Sequence, residues 1–177
     1  LDSLAASGVR FGKAYTPTPI CLPARCSLFT GRFPAAHGMR SNFMGTEGIR
    51  YSEDLLDVVK KHGYVTGLLG KNHSHQKREA FDWHRGYNHR RGTHREAYRE
   101  EDEKYDQFLD HLNNHYAKEA TPFDLHFQFP VRIVQDTLEY FKAFPNQPKF
   151  TWVSFPEPHS PYQVPEPYFS MFDLDAI

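Results

Sequence analysis

Cysteine is scarce in this sequence, which contains only Cys21 and Cys26 among its 177 residues. Two cysteines are too few for the disulfide framework of a small secreted domain. If both lie on one helix, about 7.5 Å of rise separates them, beyond the limit of about 7 Å between the Cα atoms of a disulfide. We therefore expect no disulfide between them.

Long apolar runs and a large net charge are also absent. No apolar run approaches the roughly 20 residues that span a bilayer, and no secretory leader opens the chain. The 21 basic and 22 acidic residues nearly cancel, which gives no electrostatic reason to bind nucleic acid or an anionic membrane. We predict neither as a partner. Because Leu1 lies inside a predicted helix, we expect a fragment of a longer protein.

The spacing of apolar residues predicts helices that alternate with short strands. Apolar residues at helical spacing predict helices over 1–8, 24–31, 52–63, 105–112 and 131–144. Short apolar runs predict strands over 9–16, 64–70 and 149–155. The polar stretch from about 72 to 104 predicts a long loop or insertion. This alternation predicts one α/β domain with a largely parallel central sheet.

The segment CLPARCSLFTGR, residues 21–32, places proline and arginine two and four residues after Cys21. If a helix begins near Pro23, its backbone N–H groups and the positive end of its dipole face Cys21 and favour a bound oxyanion. Arg25 lies about one turn further on, and its side chain leans back toward Cys21. The segment indicates an anion site, although an ordinary apolar cysteine beside a surface ion pair fits the same residues.

The longer string resembles the signature of formylglycine-dependent sulfatases, Cys-x-Pro-x-Arg followed by Thr-Gly. It is carried by Cys21, Pro23, Arg25, Thr30 and Gly31. In that family a maturation enzyme oxidises the cysteine to an aldehyde, formylglycine. The resemblance implies that one hydroxyl of the hydrated aldehyde attacks sulfur and that the second hydroxyl later expels sulfate.

Two further segments resemble the same family in the same order. In LLGKNHS, Lys71 and His73 follow a predicted strand as in the family's Gly-Lys-x-His, which implies contacts to the sulfate or the hydrated aldehyde. In FPEPHSPY, His159 occupies the histidine position of the family's Pro-His-x-Pro motif. The resemblance implies that His159 binds sulfate or acts as the acid that protonates the leaving oxygen. The sequence departs from the family at Ala24, where serine is frequent, and at Asn72, where tryptophan is common.

Taken singly, a lysine after a strand is usually a solvated loop residue, and a histidine between prolines can be structural. The three motifs gain weight when they are considered together. In an α/β fold, residues that follow parallel strands or begin helices lie at the same edge of the sheet. We therefore expect the five candidate catalytic residues to surround one anion-sized cavity. They are Cys21, Arg25, Lys71, His73 and His159, of which Lys71 and His159 are also candidate substrate ligands.

The resemblance implies an alkaline-phosphatase-like α/β fold, of which residues 1–177 form an incomplete part of one catalytic domain. Family members bind a divalent cation, usually calcium. Cys21 is the candidate metal ligand in this chain, and the other ligands are expected upstream of Leu1 and downstream of Ile177. Asp173 and Asp175 do not match the family's ligand pattern.

The stretch 72–104 contains several histidines and arginines. The spacing of its histidines disfavours a structural zinc site. These histidines are His73, His75, His84, His89 and His94. Its arginines could bind the sulfate of a sulfated sugar by charge, and its aromatic residues could stack on the sugar ring. A solvated basic loop is nevertheless the favoured interpretation.

The sequence as a whole favours a sulfuric ester hydrolase that acts on a sulfated carbohydrate or an aryl sulfate after modification by a formylglycine-generating enzyme. A phosphonate monoester or phosphodiester hydrolase shares the cysteine signature and stays open. A non-catalytic binding domain or inactive fragment would keep the fold without maturing Cys21. The resemblance favours a periplasmic or secreted location and leaves a cytoplasmic one open.

Overall fold

The computed structural model describes residues 2–172, which form two compact units. The first unit comprises the residues up to Leu55 together with His73–His75, and the second comprises Leu56–Asn72 and the residues from Gln76 onward. Leu1, Asp173 and Asp175 lie outside the described residues, so the predictions made for them stay predictions. Over 2–172, the helices lack the combined length and apolar character that crossing a membrane requires.

Short helices make up the regular structure of the first unit. They are α1 (Asp2–Ser7), α2 (Cys21–Thr30) and α3 (Pro34–His37), with a 3-10 turn at Thr46–Gly48. The prediction of a helix over 24–31 is confirmed by α2, which holds Pro23 in its first turn, where a missing N–H costs nothing. Gly31 ends α2 with a left-handed φ of 64° and donates its N–H to the Ser27 carbonyl.

A small apolar core stabilises the first unit. Leu22 and Cys26 on α2 pack with Met39, and Ile49 covers them. Both cysteines are free thiols, as the sequence predicts. Cys26 is one of the core residues, whereas Cys21 lies at the helix start and is partly exposed.

The predicted strand over 9–16 is wrong, because this segment forms neither a helix nor a strand. Val9 and Tyr15 expose 80% and 86% of their surfaces. Residues with high strand propensity form a strand only where a neighbouring strand accepts their hydrogen bonds and packs against their side chains. Among the described residues of this unit no such strand exists.

A three-stranded parallel sheet organises the second unit. Its strands are β1 (Val65–Lys71), β2 (Trp83–Tyr87) and β3 (Lys149–Ser154), in the order β2-β1-β3. The unit's helices are α4, which begins at the unit boundary (Leu55–Lys61), α5 (Arg99–Leu112) and α6 (Phe129–Ala143). Single 3-10 turns lie at Arg78–Ala80, Glu96–Tyr98 and Leu125–Phe127. The predicted α/β class, the parallel sheet and the elements near 52–70 and 105–155 are confirmed.

The prediction of a loop from 72 to 104 is wrong in its middle, where β2 pairs with β1 from Gly67 opposite Trp83 to Lys71 opposite Tyr87. The segment WHRGY has few apolar residues, and only Tyr87 in it is buried. Arg85 lies over the Trp83 ring, 4.8 Å from its centroid, so that one cation covers an aromatic face. The strand is therefore defined by its pairing partner rather than by its own hydrophobicity.

One buried ion pair and two hydrogen bonds fix the segment that follows β2. Arg132 on α6, which is fully buried, donates to the Thr93 carbonyl and lies 3.3 Å from the Asp102 carboxylate. His94 lies 2.7 Å from Asp106 on α5. The part of this segment around Thr93 and His94 is thus tied to two helices, whereas Arg90 and Arg91 before it keep 40% and 63% of their side chains exposed.

The end of β1 depends on a glycine. Gly70 has a φ of 110°, and a Cβ at this position would lie 2.8 Å from the carbonyl carbon of Ser154 on β3. Only glycine allows both the backbone angle and the close approach of the two strands. Lys71 is the next residue and the last residue of β1. The backbone conformation of Gly70 therefore determines the position of Lys71 at the end of the strand.

Candidate active site

Cys21 is the first residue of α2 and is partly exposed. The N–H of Leu22, in the same first turn, donates to the Asn42 side chain at 2.9 Å. Burial lowers the pKa of the Arg25 guanidinium, and the electrostatic effect of Cys21 opposes this shift. Arg25 is thus a half-buried cation within electrostatic reach of Cys21. The anion site expected at this helix start stays a prediction.

His73 belongs to the same unit as Cys21 and Arg25. Its φ is 43°, in the left-handed region that costs a residue with a side chain about 1–2 kcal/mol. Strained residues of this kind persist where the surrounding structure holds them, and they cluster at active sites and ligand-binding segments. Among the described non-glycine residues, His73 shares a positive φ with Asn113, which follows α5 and has a φ of 55°.

Lys71 and His159 come together in the second unit through a third residue. The Lys71 ammonium donates to His89 Nε2 at 2.7 Å, and the His89 ring stacks on the His159 ring with 3.5 Å between centroids. His159 Nδ1 donates to the Ser160 carbonyl at 2.7 Å, which leaves Nε2 as the nitrogen for a ligand. Lys71 is only 5% exposed, so its charge lies in a largely dehydrated environment.

His89 is the residue that sequence reasoning missed. It follows the end of β2 by two residues, just as His73 follows the end of β1 by two. Because the polar stretch predicts a loop, the sequence alone groups His89 with the other histidines of that stretch and not with the residues at strand ends. If WHRGY is recognised as a strand that pairs with β1, His89 is identified as a residue at the end of a strand.

A cavity of about 410 Å³ adjoins the two stacked histidines in the second unit. Aromatic and proline residues form much of its wall, and Glu157 and Gln163 add polar groups. Its aromatic lining comprises Tyr105, Tyr116, Phe129, Tyr162 and Phe169. Gln163 is held in place because its Nε2 donates to the Tyr105 hydroxyl at 2.8 Å. An apolar cavity with few, well-oriented polar groups is typical of a small-molecule site.

The structure therefore groups the five predicted residues within their own units. Cys21, Arg25 and His73 belong to the first unit, and Lys71 and His159 meet at His89 in the second. The prediction that all five surround one anion stays a prediction.

The described residues do not form the implied calcium site. Across 2–172, no three His, Cys, Asp or Glu side chains are grouped so that they could hold a metal ion. Asp54, a carboxylate in the same unit as Cys21, is occupied by a hydrogen bond with His75.

Comparison with known proteins identifies the family to which this chain belongs. A family model described as Sulfatase matches residues 1–174, and the chain belongs to that family. An arylsulfatase of Clostridium perfringens is 25% identical over 194 aligned positions, which cover 97% of this chain and 40% of the relative. Human arylsulfatase A is 39% identical over 77 positions, which cover 41% of this chain and 15% of the relative.

Solved structures confirm the fold. The phosphonate monoester hydrolase of Agrobacterium radiobacter matches 97% of this chain and 38% of its own with a TM-score of 0.71 at 20% identity. A protein solved in complex with its substrate D-glucosamine-2-N,6-O-disulfate matches 89% of this chain and 29% of its own, with a TM-score of 0.56 and 19% identity. The chain spans about two fifths or less of the length of these relatives.

Proposed function

We propose that the protein containing this chain hydrolyses sulfate esters and that Cys21, once oxidised to formylglycine, supplies the nucleophile. The observation that carries this proposal is the position of Cys21 as first residue of α2, with the partly buried cation Arg25 beside it. Family membership supports the reaction class. The 5% exposed Lys71 adds a second cation with the chemistry to bind a sulfate oxygen.

The chemistry assigned to each residue follows from its type and contacts. A hydroxyl of the hydrated aldehyde attacks sulfur, the bond from sulfur to the ester oxygen breaks, and the alcohol departs with a proton. His159 gives that proton from Nε2 in its imidazolium form, in which both ring nitrogens carry a proton and Nδ1 donates to the Ser160 carbonyl. Loss of a proton from the second hydroxyl then expels sulfate and restores the aldehyde.

The remaining candidates act by charge and position. Arg25 and Lys71 stabilise the negative charge that grows on the sulfate oxygens in the transition state. His73 contacts the sulfate or the hydrated aldehyde, as the resemblance implies. His89 receives a hydrogen bond from Lys71 and stacks on His159, so it orients both residues and adds a third group near the substrate.

The cavity beside His159 supports a sugar as the part of the substrate that carries the ester. Aromatic rings stack on the faces of sugars, and Glu157 and Gln163 provide acceptors for hydroxyl groups. Among the relatives, one is named N-acetylgalactosamine-6-sulfatase, and one solved structure holds a sulfated glucosamine. We therefore favour a sulfated carbohydrate over a simple aryl sulfate as the natural substrate.

A second candidate is hydrolysis of phosphonate monoesters or phosphodiesters. The structural match to a phosphonate monoester hydrolase favours it, and the tetrahedral anions concerned resemble sulfate in size and charge. A non-catalytic domain is the third alternative. Such a domain does not require an aldehyde at Cys21, so conversion of Cys21 to formylglycine would argue against it.

The deciding experiment compares substrates on the intact protein, co-expressed with a formylglycine-generating enzyme. We expect 4-nitrophenyl sulfate to be hydrolysed with a higher kcat/KM than 4-nitrophenyl phenylphosphonate, and Cys21→Ala to abolish both activities. A reversed preference would assign the phosphonate reaction. An aldehyde-bearing protein that hydrolyses neither compound, nor a panel of sulfated sugars, would refute the enzymatic proposal.

A further inference from the structure

His73 holds an unfavourable backbone angle in the middle of a short connection between β1 and the 3-10 turn at Arg78–Ala80. A left-handed residue with a side chain relaxes unless contacts on both sides of it fix the chain. On its N-terminal side, Lys71 is fixed as the last residue of β1. The contacts of His75 fix the chain on its C-terminal side, and a hydrogen bond from Asn72 to Gln76 spans His73.

One of these contacts is a buried hydrogen bond between His75 and Asp54 in the first unit. His75 Nε2 lies 2.9 Å from Asp54 Oδ2, and the two side chains are 2% and 1% exposed. The ring of Tyr51 lies 4.9 Å from the His75 ring, centroid to centroid, and that of Phe29 lies 6.1 Å from it, both edge-on. His75 is therefore held by a charged partner and by two aromatic contacts.

The same residue joins the connection to the helix that begins with Cys21. Phe29 is on α2, and a backbone hydrogen bond from His75 reaches the thiol of Cys26, also on α2. Fixing His75 thus fixes the segment His73–His75 on the helix that carries the proposed nucleophile. Because His73 is two residues away, the freedom left to its backbone is small.

A hydrogen bond within the connection itself also restricts the backbone around His73. The Asn72 side-chain amide donates to the Gln76 carbonyl at 2.7 Å, which spans the segment containing His73. A tryptophan at position 72, common in the family, has only its indole N–H to donate and cannot repeat this short amide bond. Asn72 is thus a departure from the family pattern with a structural use in this chain.

We propose that Asp54, His75 and Asn72 are positioning residues that hold His73 in its left-handed conformation for catalysis. This inference rests on the proposed sulfatase function, because His73 acts only if that function holds. None of the three residues is assigned a contact with sulfate; they act through His73. Their removal should therefore lower kcat more than it raises KM.

The test uses the intact, aldehyde-bearing protein with 4-nitrophenyl sulfate as substrate. We expect Asp54→Ala and His75→Ala each to lower kcat about 10- to 100-fold, as a displacement of about 1 Å at a reacting group does, with KM within about twofold. The double variant should be no worse than either single variant, because both remove the same interaction. Asp54→Asn keeps an acceptor for His75 Nε2 and should restore most of kcat.

A matched control is the other His–Asp pair, His94 with Asp106, 2.7 Å apart in the second unit. His94→Ala should lower the midpoint of thermal unfolding without changing kcat. Peptide mass spectrometry should give the same fraction of aldehyde at position 21 in every variant. A crystal structure of His75→Ala should show His73 outside the left-handed region.

The outcomes separate the inference from the function it rests on. If the wild type is inactive on every sulfate ester, the proposed function fails. If the wild type is active and folded Asp54→Ala and His75→Ala variants keep kcat within twofold, the positioning role is wrong. If both alanine variants fail to fold, Asn72→Ala is the deciding variant, because it removes only the hydrogen bond from Asn72 to Gln76. An unchanged kcat in Asn72→Ala overturns the inference.

Discussion

Cys21 and Cys26 differ in chemistry because they occupy different positions on one helix. Cys26 packs in the core of the first unit and is fully buried. Burial raises the pKa of the Cys26 thiol, against the opposing effect of a backbone hydrogen bond from His75. Cys21 is partly exposed at the helix start, and it alone has proline and arginine at the second and fourth positions after it.

We predict that a formylglycine-generating enzyme modifies Cys21 and leaves Cys26 a thiol. Tryptic peptides of the co-expressed protein, analysed by mass spectrometry, should contain the aldehyde at position 21 only. Alkylation of the unmodified protein at pH 8 should label Cys21 first, because the raised pKa and the burial of Cys26 keep its thiol unreactive. An aldehyde at Cys26 beside an intact Cys21 would contradict the assignment.

The two cations of the candidate site should matter for turnover more than for stability. In the intact protein, Arg25→Ala and Lys71→Ala should each lower kcat by about 100- to 1000-fold, or about 2.7–4 kcal/mol of barrier, the usual loss for one stabilising donor. Lys104→Ala removes an exposed lysine on α5 that pairs with Glu100 and serves as the control with normal kcat. Near-normal turnover in either site variant would remove that residue from the mechanism.

Tyr162 tests the cavity as a sugar site, because it lines the cavity and is 58% exposed. Tyr162→Ala should raise KM for a sulfated monosaccharide about three- to tenfold, equivalent to about 0.5–1.5 kcal/mol of aromatic contact. KM for 4-nitrophenyl sulfate should change less. Tyr64→Ala, outside the cavity lining, should change neither KM. Equal effects of Tyr162→Ala on both substrates would argue against a sugar in this cavity.

At the scale of elements, α6 shows how much of the fold the sequence predicts. The apolar stripe Val134, Leu138 and Phe141 predicts a helix, and the helix is there. These three side chains are nevertheless about half exposed, while the buried face carries Arg132 and Asp136. Periodicity identifies the helix but not which side is buried, because here buried hydrogen bonds and ion pairs replace part of the apolar contact.

Asp136 should make the stability of the protein depend on pH. Burial raises the pKa of its carboxyl group, which the 2.6 Å hydrogen bond from Tyr87 only partly offsets. The native state therefore keeps a proton that the unfolded chain loses near pH 4, so stability falls as pH rises from about 4 through the folded pKa. Asp136→Asn cannot titrate and still accepts the Tyr87 hydroxyl.

Urea unfolding at several pH values checks this prediction. Asp136→Asn should be at least as stable as the wild type at pH 7 and should lose less stability between pH 4 and 7. Asp136→Ala leaves the buried Tyr87 hydroxyl without this acceptor and should be less stable by about 1–3 kcal/mol. A steeper decline with pH in Asp136→Asn would show that the sign is wrong.

The elements that the sequence did not predict are those whose structure depends on partners far along the chain. Strand β2 has the polar sequence WHRGY and exists through its pairing with β1. The segment 9–16 has the composition of a strand but lacks a strand to pair with in the described chain. His89 lies in the same polar stretch as β2 and belongs to no short motif, whereas short motifs make Cys21, Lys71 and His159 candidates from the sequence alone.

At the scale of the whole molecule, the chain spans about two fifths of the length of the C. perfringens relative. We predict that the intact protein loses its activity when it is dialysed against EDTA and regains it with calcium. The reason is that a divalent cation offsets the charge of the approaching sulfate. Dialysis against calcium-saturated EDTA is the control and should leave activity unchanged. Full turnover after exhaustive chelation would contradict the prediction.

The order of strands in the sheet has a consequence for synthesis on the ribosome. β1 pairs with β2 only 16 residues later, from Gly67 to Trp83, but with β3 84 residues later, from Val65 to Lys149. At about 5–20 residues per second, the β3 edge of β1 waits roughly 4–17 s for its partner to be translated. During that interval its unpaired N–H and C=O groups and its apolar faces are open to a chaperone or to another nascent chain.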